Sequence, residues 1–357
     1  MNKKVHVGIV GATGAVGATL LTILKERRFP IASLRCIASA RSQGKRIMFD
    51  GREIEVEDLA SASFKGIDIA FFSAGAERSK VYAPKAAGEG AVVIDNSSAF
   101  RMDPAVPLVV PEVNPHAAYA HKGIIANPNC STIQMVVALK PLYDAAGIVR
   151  IVVSSYQSVS GAGAKAVYQL EQEIKGLAAH FHEGAWQIDT DIEELLGKIY
   201  EANKSETVFP YPICSNLIPH IGSFQGEDDY TQEELKMVYE TKKIMEDDSI
   251  QVSATCVRVP VFWAHSETVN IQTRKPLAAD RARAILAQAP GVELVDTPKD
   301  RVYPLPLFAG GRDPVYVGRI RRDPSIQNGL NLWVVADNLR KGAALNAIQI
   351  AELLLKR

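Results

Sequence analysis

The chain has 357 residues, 47% hydrophobic and 22% charged, and its 40 basic and 40 acidic side chains cancel to a formal net charge of zero. These values are typical of an ordinary globular protein, and the length predicts two domains. They give no support for nucleic-acid or membrane-surface binding. The first apolar run, Val5 to Val10, is too short for a signal peptide or a membrane span, so we expect a cytoplasmic protein.

The first predicted elements are a strand, a glycine-rich loop and a helix. Val5 to Val10 is a continuous apolar run, the loop reads GATGAVG from Gly11 to Gly17, and Ala18 to Leu24 has helical spacing. The spacing is G-x-x-G-x-x-G rather than the commoner G-x-G-x-x-G, but the physical requirement is shared. Glycines let the backbone approach a pyrophosphate held at the N-terminus of the helix. We therefore predict a dinucleotide-binding loop.

Further short apolar runs alternate with helix-forming segments: Leu34–Ala38, Ile67–Ser73 and Ala91–Asp95. This alternation predicts a parallel sheet wrapped by helices. The first of these runs leads into the segment SARSQGKR. A dehydrogenase that prefers the unphosphorylated cofactor usually has Asp or Glu near this point, whereas the side chains here suit a 2'-phosphate: Ser39, Arg41, Ser42 and Lys45. The segment therefore predicts NADP, with a solvated basic loop as the alternative.

Cys130 lies between a turn and an apolar run in the segment IIANPNCSTIQMVVAL. The residues after it have helical spacing, and Ser131 or Thr132 can cap the helix. The positive end of the helix dipole favours a thiolate, so we expect the pKa of the Cys130 thiol to fall from about 8.5 to roughly 4–7. Cys130 is therefore either a nucleophile or a small buried hydrophobe.

The other cysteines and one cluster of histidines give weaker signals. The remaining cysteines are far apart with no C-x-x-C pair, so neither a disulfide framework nor a zinc knuckle is indicated: Cys36, Cys214 and Cys256. His180, His182 and Glu183 suggest a metal, but no third ligand at helical or ribbon spacing accompanies the histidines. We predict that the protein holds no metal.

The second half of the chain alternates predicted strands and helices: Ile151–Ser158, Ala164–Leu177, Tyr230–Asp248, Leu330–Val335 and Gly342–Leu355. Gln157 ends the first of these strands, just before the glycine-rich turn VSGAGAK. The helix that begins near Tyr230 opens with a capping box, Thr231 to Glu234. Glu233 and Lys236 share one face of that helix and, by themselves, form a surface ion pair worth about 0.3 kcal/mol.

Arg258 and His265 flank a break at Pro260. On one uninterrupted strand the two side chains would point to opposite faces, because their positions differ by an odd number of residues. The break at Pro260 allows both of them to face one site. His265 is the histidine that we pair with Cys130. A histidine poised near neutral pH can remove the thiol proton and later protonate a leaving oxygen.

Together these motifs resemble the aspartate-semialdehyde dehydrogenase family, and most closely its shorter bacterial type. The resemblance is collinear over nearly the whole chain and is carried by NPNCST at Cys130, SSAFRMD at Arg101, VPEVNP, EELK, VGRIRRD and WVVADNLRKGAALNA. It is weakest over residues 175–210. It implies an α/β fold with an N-terminal Rossmann-like dinucleotide-binding domain, residues 1–130 with 338–357, and an α+β catalytic and dimerisation domain, residues 131–337. It also implies a homodimer.

The resemblance implies NADP-dependent, reversible reductive dephosphorylation of aspartyl-4-phosphate to aspartate semialdehyde, with release of phosphate, through a thioacyl intermediate on Cys130. The implied catalytic residues are Cys130, His265 as acid/base and Gln157, which also orients substrate. The implied substrate contacts are Arg258 for the carboxylate, Glu233 for the amino group, Arg101 with Lys236 for the phosphate, and Asn129 for the phosphate and oxyanion environment. The implied cofactor-binding positions are Gly11, Thr13, Gly14, Ala15, Val16, Ser39, Arg41, Ser42, Ser160, Gly161 and Asn338.

Other functions fit the sequence less well. N-acetyl-glutamyl-phosphate reductase also reduces an acyl phosphate, but its substrate has a blocked amino group and no use for Glu233 as an ammonium partner. A hydrolase with a Cys-His pair would leave the glycine loop unexplained. A non-catalytic NADP-binding regulator would keep the loop and Arg41 and lose Cys130 or His265, and here both are present.

Overall fold

The computed structural model describes residues 4–181 and 192–356. Its strands are β1 Val5–Val10, β2 Ile31–Ala38, β3 Arg46–Phe49, β4 Arg52–Asp58, β5 Ile69–Phe72, β6 Val92–Asp95, β7 Ile124–Ala126, β8 Ile148–Gln157, β9 Phe224–Gln225, β10 Tyr230–Thr231, β11 Gln251–Arg258, β12 His265–Thr273, β13 Val292–Leu294, β14 Val315–Asp323 and β15 Gly329–Ala336. Its helices are α1 Ala15–Glu26, α2 Ala76–Gly88, α3 Cys130–Ala146, α4 Ala164–Phe181, α5 Ile192–Ala202, α6 Gln232–Met245, α7 Ala279–Leu286, α8 Pro306–Ala309 and α9 Leu345–Leu355.

The first sheet has the strand order β3-β4-β2-β1-β5-β6-β7. All its neighbouring pairs are parallel except β3 and β4, which form an antiparallel edge. Alternate residues of β1 point to opposite faces, so Ile9 packs with α1 and α9 while Val10 packs with α2. The predicted parallel sheet wrapped by helices is therefore confirmed, and the C-terminal helix returns to pack on this sheet.

The second sheet has the order β11-β8-β12-β15-β14-β13 and mixes parallel with antiparallel pairs. Helices α3, α6 and α7 cover one face and bury a large apolar core against it. On the opposite face the rings of Tyr156 and Trp333 lie 5.7 Å apart, and both residues are half-buried. Because α3 begins just after β7 and packs on the second sheet, it links the two sheets at the position of Cys130.

One predicted boundary is present in the structure, and another differs for a physical reason. The strand that reaches Arg258 ends there, and the next begins at His265, so the predicted break at Pro260 is confirmed. The closing helix begins at Leu345 rather than Gly342, because Arg340–Ala344 forms a wider π-helical turn.

Candidate active site

The glycine loop lies at the carboxyl end of β1. Gly11 has a φ of +89°, and a Cβ atom there would lie 2.3 Å from the Ser73 carbonyl oxygen. The N-cap of α1 is Gly14, so no side chain caps the first backbone N–H groups of the helix. Thr13 and Ala15 are exposed beside it. Open N–H groups at a helix N-terminus bind anions, and this loop therefore fits the pyrophosphate of a dinucleotide.

The turn after β2 lies against the glycine loop. Ser42 Oγ is 3.3 Å from Thr13 Oγ1, and Ser39 is the N-cap of the short turn that carries Arg41. Arg41 is exposed, and within residues 4–181 and 192–356 its guanidinium makes no hydrogen bond or ion pair. An unengaged guanidinium beside the pyrophosphate loop suits a 2'-phosphate.

Cys130 is the first residue of α3, and Asn129 caps this helix. Asn129 Oδ1 accepts the backbone N–H groups of Ser131 at 3.0 Å and of Thr132 at 3.3 Å. The prediction that Ser131 or Thr132 caps the helix is therefore wrong, because both residues already lie inside its first turn. A Cβ atom at Gly342 would approach the Cys130 Cβ atom to 2.8 Å, so the backbone packs tightly there. Cys130 itself is half-buried and forms no disulfide.

The predicted fall in the pKa of Cys130 is also wrong. Burial raises the pKa of the thiol to about 12, and the nearby Glu233 carboxylate acts in the same direction. Arg101 and Arg258 oppose this rise without cancelling it. Loss of water therefore outweighs the helix N-terminus on which the prediction rested, and the resting side chain is a protonated thiol.

The Glu233 carboxylate joins several of the predicted site residues. Its Oε1 accepts hydrogen bonds from Asn129 Nδ2 at 2.8 Å and Gln157 Nε2 at 3.2 Å, and its Oε2 accepts one from Lys236 Nζ at 3.1 Å. Glu233 is 6% exposed, so its pair with Lys236 belongs to a buried site and not to the surface. Burial alone would raise the pKa of Glu233, but Lys236 and these hydrogen bonds lower it to about 2. The carboxylate is therefore ionised at neutral pH.

Arg101 is held by main-chain carbonyls and by a buried carboxylate. Its Nε donates to Asn127 O at 3.0 Å, its Nη2 to Asn96 O at 2.9 Å, and its Nη1 to Glu240 Oε1 at 3.1 Å. The other Glu240 oxygen accepts the Asn129 backbone N–H at 2.6 Å. Burial raises the pKa of Glu240, and the charge of Arg101 opposes that rise. Glu240 thus connects the predicted phosphate-binding arginine to the residue that caps the Cys130 helix.

Glu240 and Lys243 both support Arg101, and neither was predicted from the sequence. Lys243 Nζ donates to carbonyl oxygens of the loop that carries Arg101, at 2.7 to 2.9 Å. The signal was present in the spacing, because Glu233, Lys236, Glu240 and Lys243 recur at three- and four-residue steps and share one face of α6.

Arg258 and His265 meet at the turn after β8. Arg258 Nη1 donates to Ser158 O at 2.7 Å, and the Ser158 N–H donates to His265 Nδ1 at 3.0 Å. A Cβ atom at Gly161 would lie 3.1 Å from Arg258 Nη1 and 3.2 Å from His265 Nε2, so the turn closes over both side chains. Ser158 was not predicted either, because its bonds to Arg258 and His265 come from its backbone.

The hydrogen bond from Ser158 decides which ring nitrogen of His265 carries a proton. Nδ1 accepts that N–H, and this pattern assigns the proton of the neutral ring to Nε2. Burial, together with the charge of Arg258, lowers the pKa of His265 to about 3. Nε2 is buried and has no hydrogen-bond partner among the residues described. His265 is therefore a neutral proton donor, and the predicted histidine that is poised near neutral pH and removes the thiol proton does not match this arrangement.

Asn338 and Ser160 form hydrogen bonds that hold the turn after β8 and the residue before His265. Asn338 Oδ1 accepts hydrogen bonds from Ala264 N at 3.0 Å and Ser158 Oγ at 3.1 Å, and Asn338 Nδ2 donates to Ser160 Oγ at 3.1 Å. Ala264, which precedes His265, has a φ of 70°, a left-handed backbone that is strained for a residue with a side chain. These contacts bring Ser160 and Asn338, both predicted to bind cofactor, next to His265.

The two groups of predicted residues meet at one edge of the first sheet. The glycine loop, the turn of residues 39–42 and Cys130 follow the carboxyl ends of β1, β2 and β7, whose parallel sheet places these ends together. Ligands of open parallel sheets bind along this edge. Glu233 of α6 accepts a hydrogen bond from Asn129, the residue before Cys130, and the charges of Glu233 and Arg258 act on the pKa of the thiol, so groups from α6 and the second sheet lie near the cysteine.

Within the part of the chain that the structure describes, no group of three or more His, Cys, Asp or Glu side chains is arranged to hold an ion. Of the three residues considered as metal ligands, His182 and Glu183 lie outside the described residues, and so does the side chain of His180. Among the described helices, none combines the length and apolar character needed to cross a bilayer.

Comparison with known proteins gives the family. Two family models match: the NAD binding domain of semialdehyde dehydrogenase over residues 6–121 and its dimerisation domain over residues 139–341. The chain is 57% identical to the aspartate-semialdehyde dehydrogenase of Aquifex aeolicus, with 98% of each chain covered, and 54% identical to that of Legionella pneumophila, with 99% and 96% covered. The crystal structure of aspartate semialdehyde dehydrogenase II from Vibrio cholerae, complexed with ASA, matches with a TM-score of 0.89 at 47% identity over 99% of each chain. The chain therefore belongs to the aspartate-semialdehyde dehydrogenase family.

Proposed function

We propose that this chain catalyses the reversible, NADP-dependent reductive dephosphorylation of L-aspartyl 4-phosphate to L-aspartate 4-semialdehyde through a thioacyl intermediate on Cys130. The product serves lysine, threonine, methionine, isoleucine and diaminopimelate synthesis. Support comes from the names of the relatives and from the ASA complex of the Vibrio cholerae enzyme. The observation that carries the proposal is the surroundings of Cys130, where an ionised carboxylate and two guanidinium groups act on a thiol at a helix N-terminus.

Each charged group of the substrate has an opposite partner in the site. The α-carboxylate pairs with Arg258, whose Nε is buried and unpartnered within the described ranges and is therefore available to a planar anion. The ammonium pairs with Glu233, which is ionised at neutral pH. The phosphate pairs with Arg101 and Lys236. A substrate with an acylated amino group would leave the Glu233 charge buried and uncompensated, which is costly.

In the first step, Cys130 Sγ attacks the acyl carbonyl carbon and the bond from that carbon to the phosphate oxygen breaks. The thiol proton leaves with the phosphate as hydrogen phosphate, because His265 offers a donor and not an acceptor at this stage. Arg101 and Lys236 stabilise the charge on the departing group. Asn129 contributes to the oxyanion environment, and Gln157, hydrogen-bonded to Glu233, orients the substrate.

In the second step the thioester carbon is reduced, and NADPH, when bound, would supply the hydride. His265 Nε2–H donates its proton to the carbonyl oxygen as negative charge develops there. The resulting thiohemiacetal on Cys130 then loses its carbon–sulfur bond, its hydroxyl proton passes to sulfur, and the aldehyde leaves. His265 regains a proton from solvent, so this step consumes one proton overall.

Two sets of residues would hold NADP. The backbone of the glycine loop would bind the pyrophosphate through positions Gly11, Thr13, Gly14, Ala15 and Val16. The 2'-phosphate pairs with Arg41, which has no competing partner among the residues described, and with the hydroxyls of Ser39 and Ser42. Hydride transfer requires the other end of the cofactor near Cys130. Ser160, Gly161 and Asn338 surround His265 and are suitable contacts for that end.

We further propose that the protein acts as a homodimer in the cytoplasm. The family model over residues 139–341 is a dimerisation domain. The face of the second sheet opposite α3 carries the half-buried aromatic pair Tyr156 and Trp333, and aromatic residues are enriched at interfaces. A reducing compartment keeps Cys130 as the free thiol that the reaction requires.

The experiment mixes the protein with NADP, inorganic phosphate and L-aspartate 4-semialdehyde and follows NADPH absorbance. We expect NADPH to form only when all three are present, and more slowly when NAD replaces NADP. Aldehyde-dependent reduction of NADP that needs no phosphate would contradict the acyl-phosphate chemistry. Equal rates with both cofactors would contradict the cofactor assignment alone.

A further inference from the structure

Directly beneath the active-site side chains, the second sheet carries another row of residues. Cys256 of β11 pairs in register with Ser155 of β8, and Ser155 pairs with Glu267 of β12. Each member of this lower row lies two residues from an active-site residue on its own strand. Because alternate residues of a strand share a face, the lower row points to the same side of the sheet as the active site.

Glu267 is the member of the lower row that needs an explanation. It is 0% exposed, and within the described ranges neither of its carboxyl oxygens has a hydrogen-bond partner. Gln134 of α3 is 1% exposed, and its amide atoms likewise have no partner among those residues. Buried polar groups are almost always hydrogen-bonded, so the unsatisfied side chains of Glu267 and Gln134 require an explanation.

Gln134 and Glu267 lie close enough to influence each other. Burial raises the pKa of Glu267 well above its ordinary range, and Gln134 acts on it in the opposite direction. The negative charge of Glu267 would also oppose ionisation of the neighbouring Cys256 thiol. Burial therefore favours the protonated form of this carboxyl group, which can donate its O–H to the amide oxygen of Gln134 and accept an amide N–H in return. A small side-chain adjustment would satisfy both groups.

We propose that Glu267 and Gln134 form a neutral hydrogen-bonded pair that sets the position of Cys130 relative to His265. Gln134 lies one helical turn after Cys130, and Glu267 lies two residues after His265. A bond between them therefore ties the helix of the nucleophile to the strand of the histidine. Both are positioning residues, because they do not touch the reacting atoms. The inference rests on the roles proposed above for Cys130 and His265.

A directional bond matters here because the surrounding contacts are apolar. Ile133 and Val137 of α3 and Val269 of β12 belong to one core cluster. Apolar contacts hold elements together without fixing them in one exact register, because they are non-directional. A misplacement of about 1 Å at a reacting centre costs roughly a hundredfold in rate. Loss of the pair is therefore expected to reduce turnover more than substrate binding.

The test compares the steady-state kinetics of Glu267→Gln, Glu267→Leu and Gln134→Leu with aspartate semialdehyde, phosphate and NADP. Glu267→Gln keeps a neutral donor and acceptor, so we expect it to retain at least about a third of the wild-type kcat. Each leucine variant should lose roughly tenfold or more in kcat, with KM for the aldehyde changed less than about threefold. The double leucine variant should be no slower than either single one, because the pair acts as a unit.

Val269→Ala is the matched control for simple destabilisation. Val269 is the next residue on the same face of β12, is buried, and contributes only methyl groups to the core. We expect this variant to lower Tm and keep the wild-type kcat. A loss of kcat in Val269→Ala equal to that in Glu267→Leu would overturn the positioning role. So would wild-type kcat in both leucine variants. A loss in Glu267→Gln as large as in Glu267→Leu would overturn the neutral pair.

Two further variants distinguish failure of the positioning role from misfolding and from failure of the proposed function. If Glu267→Leu does not fold, Gln134→Leu makes the same comparison from the helix side. If Cys130→Ala retains turnover, the proposed function itself fails. If Cys130→Ala is inactive while both leucine variants keep the wild-type kcat, only the positioning role fails.

Discussion

The cofactor edge of the first sheet and the end of the second sheet present their ligand-binding groups differently. At the cofactor edge, the groups are backbone N–H groups and exposed side chains such as Thr13 and Arg41, from two turns within residues 11–42. At the end of the second sheet, Glu233, Arg258 and His265 are buried, and each is held by hydrogen bonds to its neighbours. The groups of the first region are open to solvent, whereas the side chains of the second region are already fixed by hydrogen bonds in the absence of a ligand.

This difference determines the expected response of each region to mutation. An exposed side chain that hydrogen-bonds a charged ligand contributes about 1.5 to 3 kcal/mol, and its removal leaves the neighbouring residues unchanged. Removing one member of a buried charged set leaves a partner uncompensated and costs about 3 to 5 kcal/mol. We therefore expect large effects at the end of the second sheet and smaller, cofactor-selective effects at the cofactor edge.

The largest effect is expected at Cys130. Cys130→Ala removes the sulfur atom that we propose forms the thioacyl bond, so turnover should fall by at least roughly 10⁴-fold while Tm and circular dichroism stay close to wild type. Cys36→Ala is the control, because Cys36 is buried in the core of the first sheet, away from the site. It should lose stability and keep turnover. Turnover of Cys130→Ala above about a hundredth of wild type would show that another group carries the chemistry.

Arg258→Lys tests whether the buried region depends on geometry beyond charge. Lysine keeps the positive charge but cannot donate two parallel N–H groups to the substrate carboxylate, so kcat/KM should fall by roughly a hundredfold or more. The loss should depend on that carboxylate. An analogue without it should react poorly with wild type and lose little more with the variant, as a double cycle between enzyme and substrate requires. Equal losses with both substrates would mean that Arg258 supports the fold around Ser158 and His265.

At the cofactor edge, Arg41→Ala should act on one cofactor only. The 2'-phosphate loses a charge-assisted partner, so NADP affinity should fall by roughly ten- to a hundredfold while NAD affinity changes little. Titration of each cofactor by fluorescence measures both values. Arg46→Ala is the matched control, because Arg46 is an exposed arginine on the adjoining β3 that is paired with Glu53. If Arg41→Ala lowers the affinity for NADP and for NAD equally, the turn has a structural role instead.

The smallest expected effect is a pH dependence of stability caused by Glu267. The native state keeps a proton on this carboxyl above its unfolded pKa of about 4.3, so its contribution to stability falls as pH rises. Glu267→Gln has no carboxyl group to titrate at this position. Its Tm should therefore rise relative to that of wild type as the pH increases from 5 to 8. The corresponding difference in the free energy of unfolding grows by at most about 1.4 kcal/mol per pH unit, and only until the pH reaches the folded-state pKa of Glu267. A Tm difference that does not change with pH would mean that Glu267 is ionised in the native protein.

The local features of the fold were predictable from the sequence. The first strand runs over Val5–Val10 as the apolar run indicates, and the capping box is present, with Thr231 N donating to Glu234 Oε2 at 2.7 Å. Both depend on neighbours within a few residues. The strands β3 and β4 were not predicted, because neither contains a long apolar run and little of either strand is buried.

The electrostatics of the site were not predictable, because they depend on burial and on contacts distant in sequence. Glu240 reaches the Asn129 N–H across 111 residues, and the Ser158 N–H reaches His265 across 107. The helix N-terminus at Cys130 was correctly recognised, yet the pKa of its thiol moves in the opposite direction once burial and Glu233 are included. A helix boundary is a local property, whereas a pKa sums over everything packed around the group.

The most direct test of the central claim is mass spectrometry of the wild-type protein after incubation with aspartyl phosphate in the absence of NADPH. Without hydride the reaction should stop at the thioester, so peptide mapping should find one aspartyl adduct, on Cys130, and addition of NADPH should remove it. Hydroxylamine should also release it. An adduct on Cys36, Cys214 or Cys256, or full turnover with no adduct on any cysteine, would contradict the account.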